Sequence, residues 1–366
     1  MQNSALVKLL AALTVLIVAL VVALHFLNRG ALNSSVLISP PTNSIAENTF
    51  HFHAPPVPRP QPPELDAAGN PKIPREKVEA WLAKHNRNAM SLLAAFRALG
   101  DTNYLNEAAT NFPNNPQVEL AVLAHNEFPQ DRRKWLDLFK ASSPSNSLAN
   151  YLSAQDYFKN GNSAAAIQEL TAASGKSQFD AFLTQSRLDE EDLYSSSGYS
   201  QLDSDKESSV GMYTEELPEL ATFKHLAISI NDLQQQDASS GDANSAASLA
   251  QMGMALGNQI NSGDNRKYFI NQLVGMAIEN EALSQLDPNT SYDFLDGQTP
   301  DQIIAQNKEQ KTAFRELDQN FQAVQPYLTD SEMLGYQERE KIYGEIPAMQ
   351  WVIQQHPQNP SQNGQQ

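Results

Sequence analysis

The chain has 366 residues, a formal net charge of −17 at pH 7 and no cysteine. An acidic chain repels nucleic-acid phosphates, so we exclude nucleic-acid binding as its main function. The absence of cysteine excludes disulfides and thiolate chemistry. Hydrophobic residues make up 41% of the chain, which is enough to build a buried core beyond the N-terminal segments.

The N-terminal segment predicts a membrane anchor. After a short tail of residues 1–4, residues 5–27 form one apolar run. Such a run spans about 34 Å as a helix, and the hydrocarbon core of a bilayer is about 30 Å thick. We therefore predict a single transmembrane signal anchor over residues 5–27. A cleaved signal peptide is the alternative, although its best cleavage position, after Ala23, lies inside the apolar run.

The orientation of the anchor follows from the charges on either side of it. Lys8 and the terminal amine lie before the run and Arg29 lies after it, so the charge balance is close to even. Long domains translocate largely regardless of charge. We expect a single-pass protein of the inner membrane, with its body outside the cytoplasm.

Residues 28–75 predict a disordered linker, because they contain ten of the chain's 21 prolines. Proline fixes φ and interrupts both helices and sheets. The segment should therefore act as an extended, semi-rigid spacer of the polyproline II type. Recognition by a proline-binding domain is the alternative reading.

From residue 76 onward the sequence predicts an all-α fold. Apolar residues recur with the helical period, no sustained strand alternation is found, and Asn, Gly and Pro mark short turns. Residues 76–190 are assigned to one array of short helices. The unit at residues 147–174 has small residues, large residues and a turn glycine at regular spacing. These are Ala154, Tyr157, Gly161, Ala166, Leu170 and Ala173.

This spacing resembles a tetratricopeptide (TPR) repeat. The small alanines let two antiparallel helices approach closely, and Gly161 supplies the turn between them. The unit departs from the repeat where a closing proline is expected and Gln178 stands. A single repeat cannot bury its own face, so we expect at least three units to stack within residues 76–190.

The resemblance implies a concave groove for extended peptides or partner proteins, lined by the first helix of each pair. In the unit at 147–174 the first helix is 147–160, where we expect Tyr157 to pack internally. Asn150 is then the polar side chain expected to bond a peptide backbone. An upstream helix over 131–141 would add Arg132 and Lys134, which predicts a partner segment that is extended and partly acidic.

The second half of the chain gives a coarser pattern. Asp189–Asp192 is interpreted as a solvated acidic helix end, with Ca²⁺ binding as the alternative. Residues 191–214 are acidic and rich in serine, and they predict a loop at a domain boundary. Residues 215–355 carry longer apolar stripes and predict a C-terminal helical domain. Residues 356–366 predict a disordered tail.

The sequence contains no P-loop, dinucleotide-binding or protease motif and no metal-ligand spacing, so we predict no enzyme activity, cofactor or metal. The pattern indicates a membrane-tethered protein-binding or scaffold protein of a bacterial-type cell envelope, as in other membrane-anchored bacterial proteins that it resembles. Its partners would be the membrane, through residues 5–27, and a protein or peptide. The alternatives are an enzyme with a carboxylate-based site in the helical domain and a passive structural envelope protein. A deep pocket with two carboxylates of raised pKa would favour the enzyme.

Overall fold

The computed structural model describes residues 73–356, without the side chains of residues 213–218. The all-α prediction is confirmed for this part of the chain, which consists of helices and their connections and contains no strand. The predicted anchor at 5–27, most of the predicted linker and tail residues 357–366 lie outside the described residues. In chain order the helices are α1 (Arg75–Lys84), α2 (Ala89–Leu99), α3 (Thr102–Asn111), α4 (Pro116–His125), α5 (Arg132–Ser142), α6 (Leu148–Lys159), α7 (Ser163–Ser174), α8 (Leu183–Ser196), α9 (Gln201–Ser240), α10 (Ala243–Ile260), α11 (Phe269–Leu283), α12 (Pro300–Val324), α13 (Asp330–Tyr343) and α14 (Glu345–Gln355).

Local sequence sets many of the helix ends. The Asn88 side chain accepts a hydrogen bond from the Ser91 backbone N–H and starts α2, and Asn115 does the same for α4. An N-cap of this type satisfies backbone donors that have no partner within the helix. Gly100, at φ +63°, ends α2 in the left-handed conformation that glycine adopts without strain.

The N-terminal half is built from three helical hairpins, α2 with α3, α4 with α5 and α6 with α7. Contacts between α3 and α4 and between α5 and α6 join the hairpins in chain order. Each hairpin is short and places consecutive helices side by side, as the small residues at their contacts permit. The hairpins therefore stack into an array.

The residues predicted to form the repeat contact lie in α6, in α7 and in the turn between them. Gly161, at φ +72°, lies in the turn between α6 and α7, where a side chain would be strained. Tyr157 is half-buried and packs against the core, and the guanidinium carbon of Arg133 lies 3.9 Å from its ring centroid. Four further residues of the unit are fully buried. They are Ala154, Ala166, Leu170 and Ala173.

The first helix of each hairpin is buried on more than one side. In α6 every residue from 148 to 155 is buried, whereas α7 buries only Ala166, Leu170 and Ala173. A helix with one solvated side buries only a stripe, so α6 must be covered on two sides. The second cover is α9, which contacts α6 and α4, while α8 contacts α2 and α1. We call this covered side of α2, α4 and α6, together with the adjoining side of α1 that contacts α8, the first-helix face.

The predicted loop at 191–214 is wrong. Helix α8 continues to Ser196, a four-residue turn follows, and Ser200 caps α9, which runs for 40 residues. The serines suggested a loop because they compete with the backbone for hydrogen bonds. Here Ser204 and Ser208 are fully buried in α9, so tertiary packing overrides that preference.

The predicted domain boundaries also differ from the structure. The described residues, 73–356, belong to one compact unit, so no separate array and bundle are distinguished among them. The folded part also begins before residue 76, because Ile73 belongs to the hydrophobic core and α1 starts at Arg75.

Helices α10 and α11 approach each other closely through glycine. A Cβ atom on Gly257 of α10 would lie 2.8 Å from the carbonyl oxygen of Gly275 in α11. A Cβ on Gly253 would lie 2.6 Å from the Cβ of Ala282. Helices α12, α13 and α14 complete the unit through contacts of α14 with both α12 and α13. No helix within residues 73–356 combines the length and apolar character needed to cross a membrane.

Candidate functional site

Asn150 lies inside the protein, not on the exposed groove wall that the sequence predicted. Its side-chain nitrogen donates a hydrogen bond of 2.6 Å to Oε2 of Glu169 on α7. Glu169 Oε1 also accepts from Ser153 Oγ, at 2.9 Å, and pairs with Lys140 Nζ, at 2.7 Å. The amide of Asn150 therefore belongs to a part-buried polar network between α5, α6 and α7.

The two predicted basic residues of α5 differ in their surroundings. Arg132 Nη1 donates to the carbonyl oxygen of Leu123 at 2.8 Å, and its Nε lies 3.5 Å from Oδ1 of Asp156. Burial lowers the pKa of Arg132, and Asp156 opposes that effect. Lys134 is exposed. The structure therefore brings Arg132 to Asp156 of its own chain and leaves Lys134 on the surface. Asn150, Arg132 and Lys134, the three predicted partner contacts, do not form one groove wall.

At its α1–α2 end, the first-helix face is covered by the acidic helix α8, while α9 covers α4 and α6. Arg97 on α2 donates through Nε to Oε1 of Glu190 at 2.6 Å, and the two side chains are 5% and 1% exposed. Trp81 on α1 donates through Nε1 to Oδ2 of Asp192 at 2.8 Å, and His85 Nε2 lies 3.3 Å from the same oxygen. Side chains from α1 and α2 therefore hold two carboxylates of a single helix.

Glu190 is also enclosed from the other side. A Cβ atom on Gly211 of α9 would lie 2.3 Å from its Oε2, so the absence of a side chain at this glycine makes room for the carboxylate. The prediction of a solvated acidic helix end is therefore wrong for Glu190, although Asp192 remains exposed. The apolar spacing of Leu183, Leu193 and Tyr194, all buried, was the sequence feature that could have revealed a packed helix here.

A second charged cluster joins α8 to α9 and α13. Arg187, only 2% exposed, pairs through Nη2 with Oδ1 of Asp205 and through Nη1 with Oε1 of Glu340, both at 3.1 Å. Burial raises the pKa of both carboxyls, and Arg187 acts in the opposite direction. An unpaired charge at this depth would be costly, so these groups stabilise the fold only as a set.

Asp205 of this cluster and two neighbouring carboxylates have the spacing of a metal site. One oxygen each of Glu191, Asp205 and Glu338 lies within 4.8 Å of the others. The ammonium of Lys341 lies 3.0 Å from Glu191, 3.2 Å from Asp205 and 2.9 Å from Glu338. Lys341 therefore supplies the positive charge that these oxygens require. The arrangement is a structural ion cluster of the protein's own side chains.

A small cavity lies beside the Arg97–Glu190 pair, between α2, α4, α8 and α9. Its volume is about 30 Å³, and Gln117 and Glu219 also line it. A single water needs about 10–15 Å³, whereas sites for small molecules measure about 300–1,000 Å³. The cavity suits ordered water near Oε1 of Gln117, a buried oxygen without a protein partner. It does not supply the deep pocket that the enzyme alternative needs.

Comparison of the chain with protein-family models, with curated proteins and with solved structures gives no match. The likeness of residues 147–174 to a TPR repeat therefore depends on residue spacing alone.

Proposed function

We propose that the chain is a membrane-tethered scaffold that binds a protein partner through the first-helix face of its helical array. The observation that carries the proposal is the way this face holds α8. Trp81 and Arg97 present hydrogen-bond donors to Asp192 and Glu190, while Leu193 enters the hydrophobic core. This packing within the chain has the form of helix-in-groove recognition, in which apolar contacts supply affinity and a few polar contacts fix position.

The composition of the face favours a protein over other ligands. A surface formed by successive helices suits a helical segment, and the adjoining cavity, of about 30 Å³, is too small for an organic ligand. The basic and aromatic donors on α1 and α2 suit carboxylates, although the chain as a whole is strongly acidic. The predicted anchor and proline-rich spacer would present this face at a distance from the bilayer.

Site-directed photocrosslinking of the full chain in its native membranes tests the proposal. His85 is half-buried at the edge of the first-helix face, and Glu309 is exposed on α12 and serves as the matched control. We expect a photoreactive residue at position 85 to capture a defined protein that the same residue at position 309 does not. Capture of no protein, or of one identical set at both positions, would contradict the proposal.

A further inference from the structure

The turn between α6 and α7 contains a chemically reactive pair, Asn160 followed by Gly161. It is the one Asn–Gly pair within residues 73–356, and the chain's other pair, Asn363–Gly364, lies outside the described residues. The side-chain amide of an asparagine is open to attack by the backbone nitrogen of the next residue. Glycine shields that nitrogen least, because it has no side chain. The sequence therefore places the most favourable pair for this reaction at the end of α6.

The surroundings of the pair leave room for the reaction. Asn160 and Gly161 are both exposed, and a Cβ atom on Gly161 would meet no other atom within 4 Å. Asn162, two residues further on, is also exposed but is followed by Ser163. Its neighbour therefore carries a side chain that hinders the same attack, which makes Asn162 an internal control in the same turn.

Two hydrogen bonds of the turn hold the reacting groups apart. Asn160 Nδ2 donates to the carbonyl oxygen of Asp156 at 2.8 Å, and the Gly161 N–H donates to the carbonyl oxygen of Phe158 at 3.0 Å. Both bonds lie at the end of a helix, and helix ends open at a small fraction of the free energy of global unfolding. Opening of this one turn is consequently enough to free the Gly161 nitrogen.

We propose that Asn160 is a site of spontaneous deamidation in the folded chain, and that the product loosens the turn between α6 and α7. When the turn opens, the Gly161 nitrogen forms a bond to Cγ of Asn160, and the bond from Cγ to Nδ2 breaks. The amide proton of Gly161 passes to water, and Nδ2 takes up a proton and leaves as ammonia. Water then opens the cyclic imide at either carbonyl carbon, which yields aspartate or isoaspartate at position 160. The reaction needs no partner and does not depend on the proposed function.

The two products change the turn in different ways. Aspartate adds a negative charge at the C-terminal end of α6, where the helix dipole is also negative. Isoaspartate directs the main chain through the side-chain carbon and lengthens it by one methylene group. The Asn162 N–H donates to the carbonyl oxygen of Tyr157 across this turn, at 2.9 Å. A longer main chain moves that donor away from its acceptor.

Ageing of the full chain in its native membranes, followed by peptide mapping with mass spectrometry, tests the reaction. We expect position 160 to gain the mass difference between asparagine and aspartate, at a rate that rises with pH because the attacking nitrogen must lose its proton. Asn162 should convert at least about tenfold more slowly, since the Ser163 side chain shields its nitrogen. Asparagine retained at position 160 after a peptide of residues 156–165 has fully converted in the same buffer would overturn the proposal. Equal rates at positions 160 and 162 would overturn it as well.

Hydrogen exchange on the aged chain tests the effect on the turn. The Gly161 and Asn162 amides should exchange at least about tenfold faster in the modified fraction than in freshly prepared protein. Asn160→Asp supplies the charge without the extra methylene group and should give a smaller increase, and Asn160→Gln should show no increase on ageing. Unchanged exchange of both amides in the modified fraction would overturn the proposed effect on the turn.

Discussion

Two carboxylates of the array, the partly buried Glu169 and the fully buried Glu119, accept hydrogen bonds from neighbouring helices. Glu169 receives Asn150, Ser153 and Lys140, whereas Glu119 on α4 receives only the hydroxyl of Ser142. The difference matters because a buried charge is stabilised in proportion to the donors around it. Glu119 is fully buried and has a single side-chain donor, so its charged form is poorly stabilised.

Glu119 makes stability depend on pH in a defined direction. Burial raises its pKa, and the Ser142 hydroxyl opposes that rise only in part. The folded state therefore favours the protonated form. The stabilisation from this group is complete below the unfolded pKa of about 4.3 and is lost as pH rises through the higher folded value.

We expect wild-type stability to fall relative to that of Glu119→Gln between pH 4 and pH 7. The glutamine cannot ionise, so the difference between the two unfolding free energies isolates this carboxyl, at about 1.4 kcal/mol for each unit of pKa shift. Urea unfolding at several pH values measures it. Glu309→Gln is the control, and a difference independent of pH would contradict the argument.

Ala166 tests the closeness of the α6–α7 contact. It is fully buried, whereas Ala164 on the same helix is exposed. Ala166→Leu should overpack the contact and lower the unfolding free energy by about 1–3 kcal/mol. Ala164→Leu should change it by less than about 0.5 kcal/mol. Equal melting temperatures for the two variants would show that the hairpin does not depend on a small residue at 166.

At the scale of helices, the sequence predicted the α6–α7 hairpin well, because the residues that specify a hairpin are close together in the sequence. Gly161 and the alanines of the two helices lie within one short segment, so their spacing specifies the hairpin directly. The covering of the first-helix face depends on segments far apart in sequence. No local rule links α9 to α6, and the serines of α9 favoured a loop until packing buried them.

One feature of α6 did indicate that it is covered on both sides. Apolar or small residues stand at nearly every position from 148 to 154, not in one stripe. A helix that is apolar all round is buried all round. This composition argued against Asn150 as an exposed contact, and the error arose from assigning the face by resemblance to an open repeat array.

The glycine contact between α10 and α11 provides a test at the level of elements. Gly257→Ala should lower the unfolding free energy by about 1 kcal/mol or more, because the new Cβ meets the Gly275 carbonyl oxygen and backbone cannot move aside cheaply. This loss should appear despite the gain of about 1 kcal/mol in helix propensity. Gly175→Ala, whose Cβ would lie 3.8 Å from the nearest atom, is the control. A stabilised Gly257→Ala variant would contradict the close approach.

At the scale of the whole molecule, charged pairs join segments that are far apart in sequence. Arg187 and Glu340 are 153 residues apart, and Lys341 and Glu191 are 150 apart. These pairs attach α13 to α8. The C-terminal helices thus contribute to the same compact unit as the hairpins, which the predicted boundary near residue 214 had separated.

The predicted anchor is tested on the full chain. Because residues 5–27 would be held by apolar burial and not by charge, full-length protein should remain with membranes through high-salt and carbonate washes. A chain that starts at Ile73, where the compact unit begins, should fractionate as soluble protein. Release of the full chain by carbonate, or a mature form beginning after Ala23, would refute the anchor.

The order of the covering helices along the chain has a consequence for biosynthesis. The array is complete at Ser174, but α9 ends only at Ser240. At about 5–20 residues per second, a ribosome needs several seconds to make the intervening segment. Throughout that interval the nascent array presents the apolar side chains of α4 and α6 without the cover that later encloses them. A nascent chain stalled near residue 182 should therefore recruit chaperones that one stalled beyond residue 280 does not.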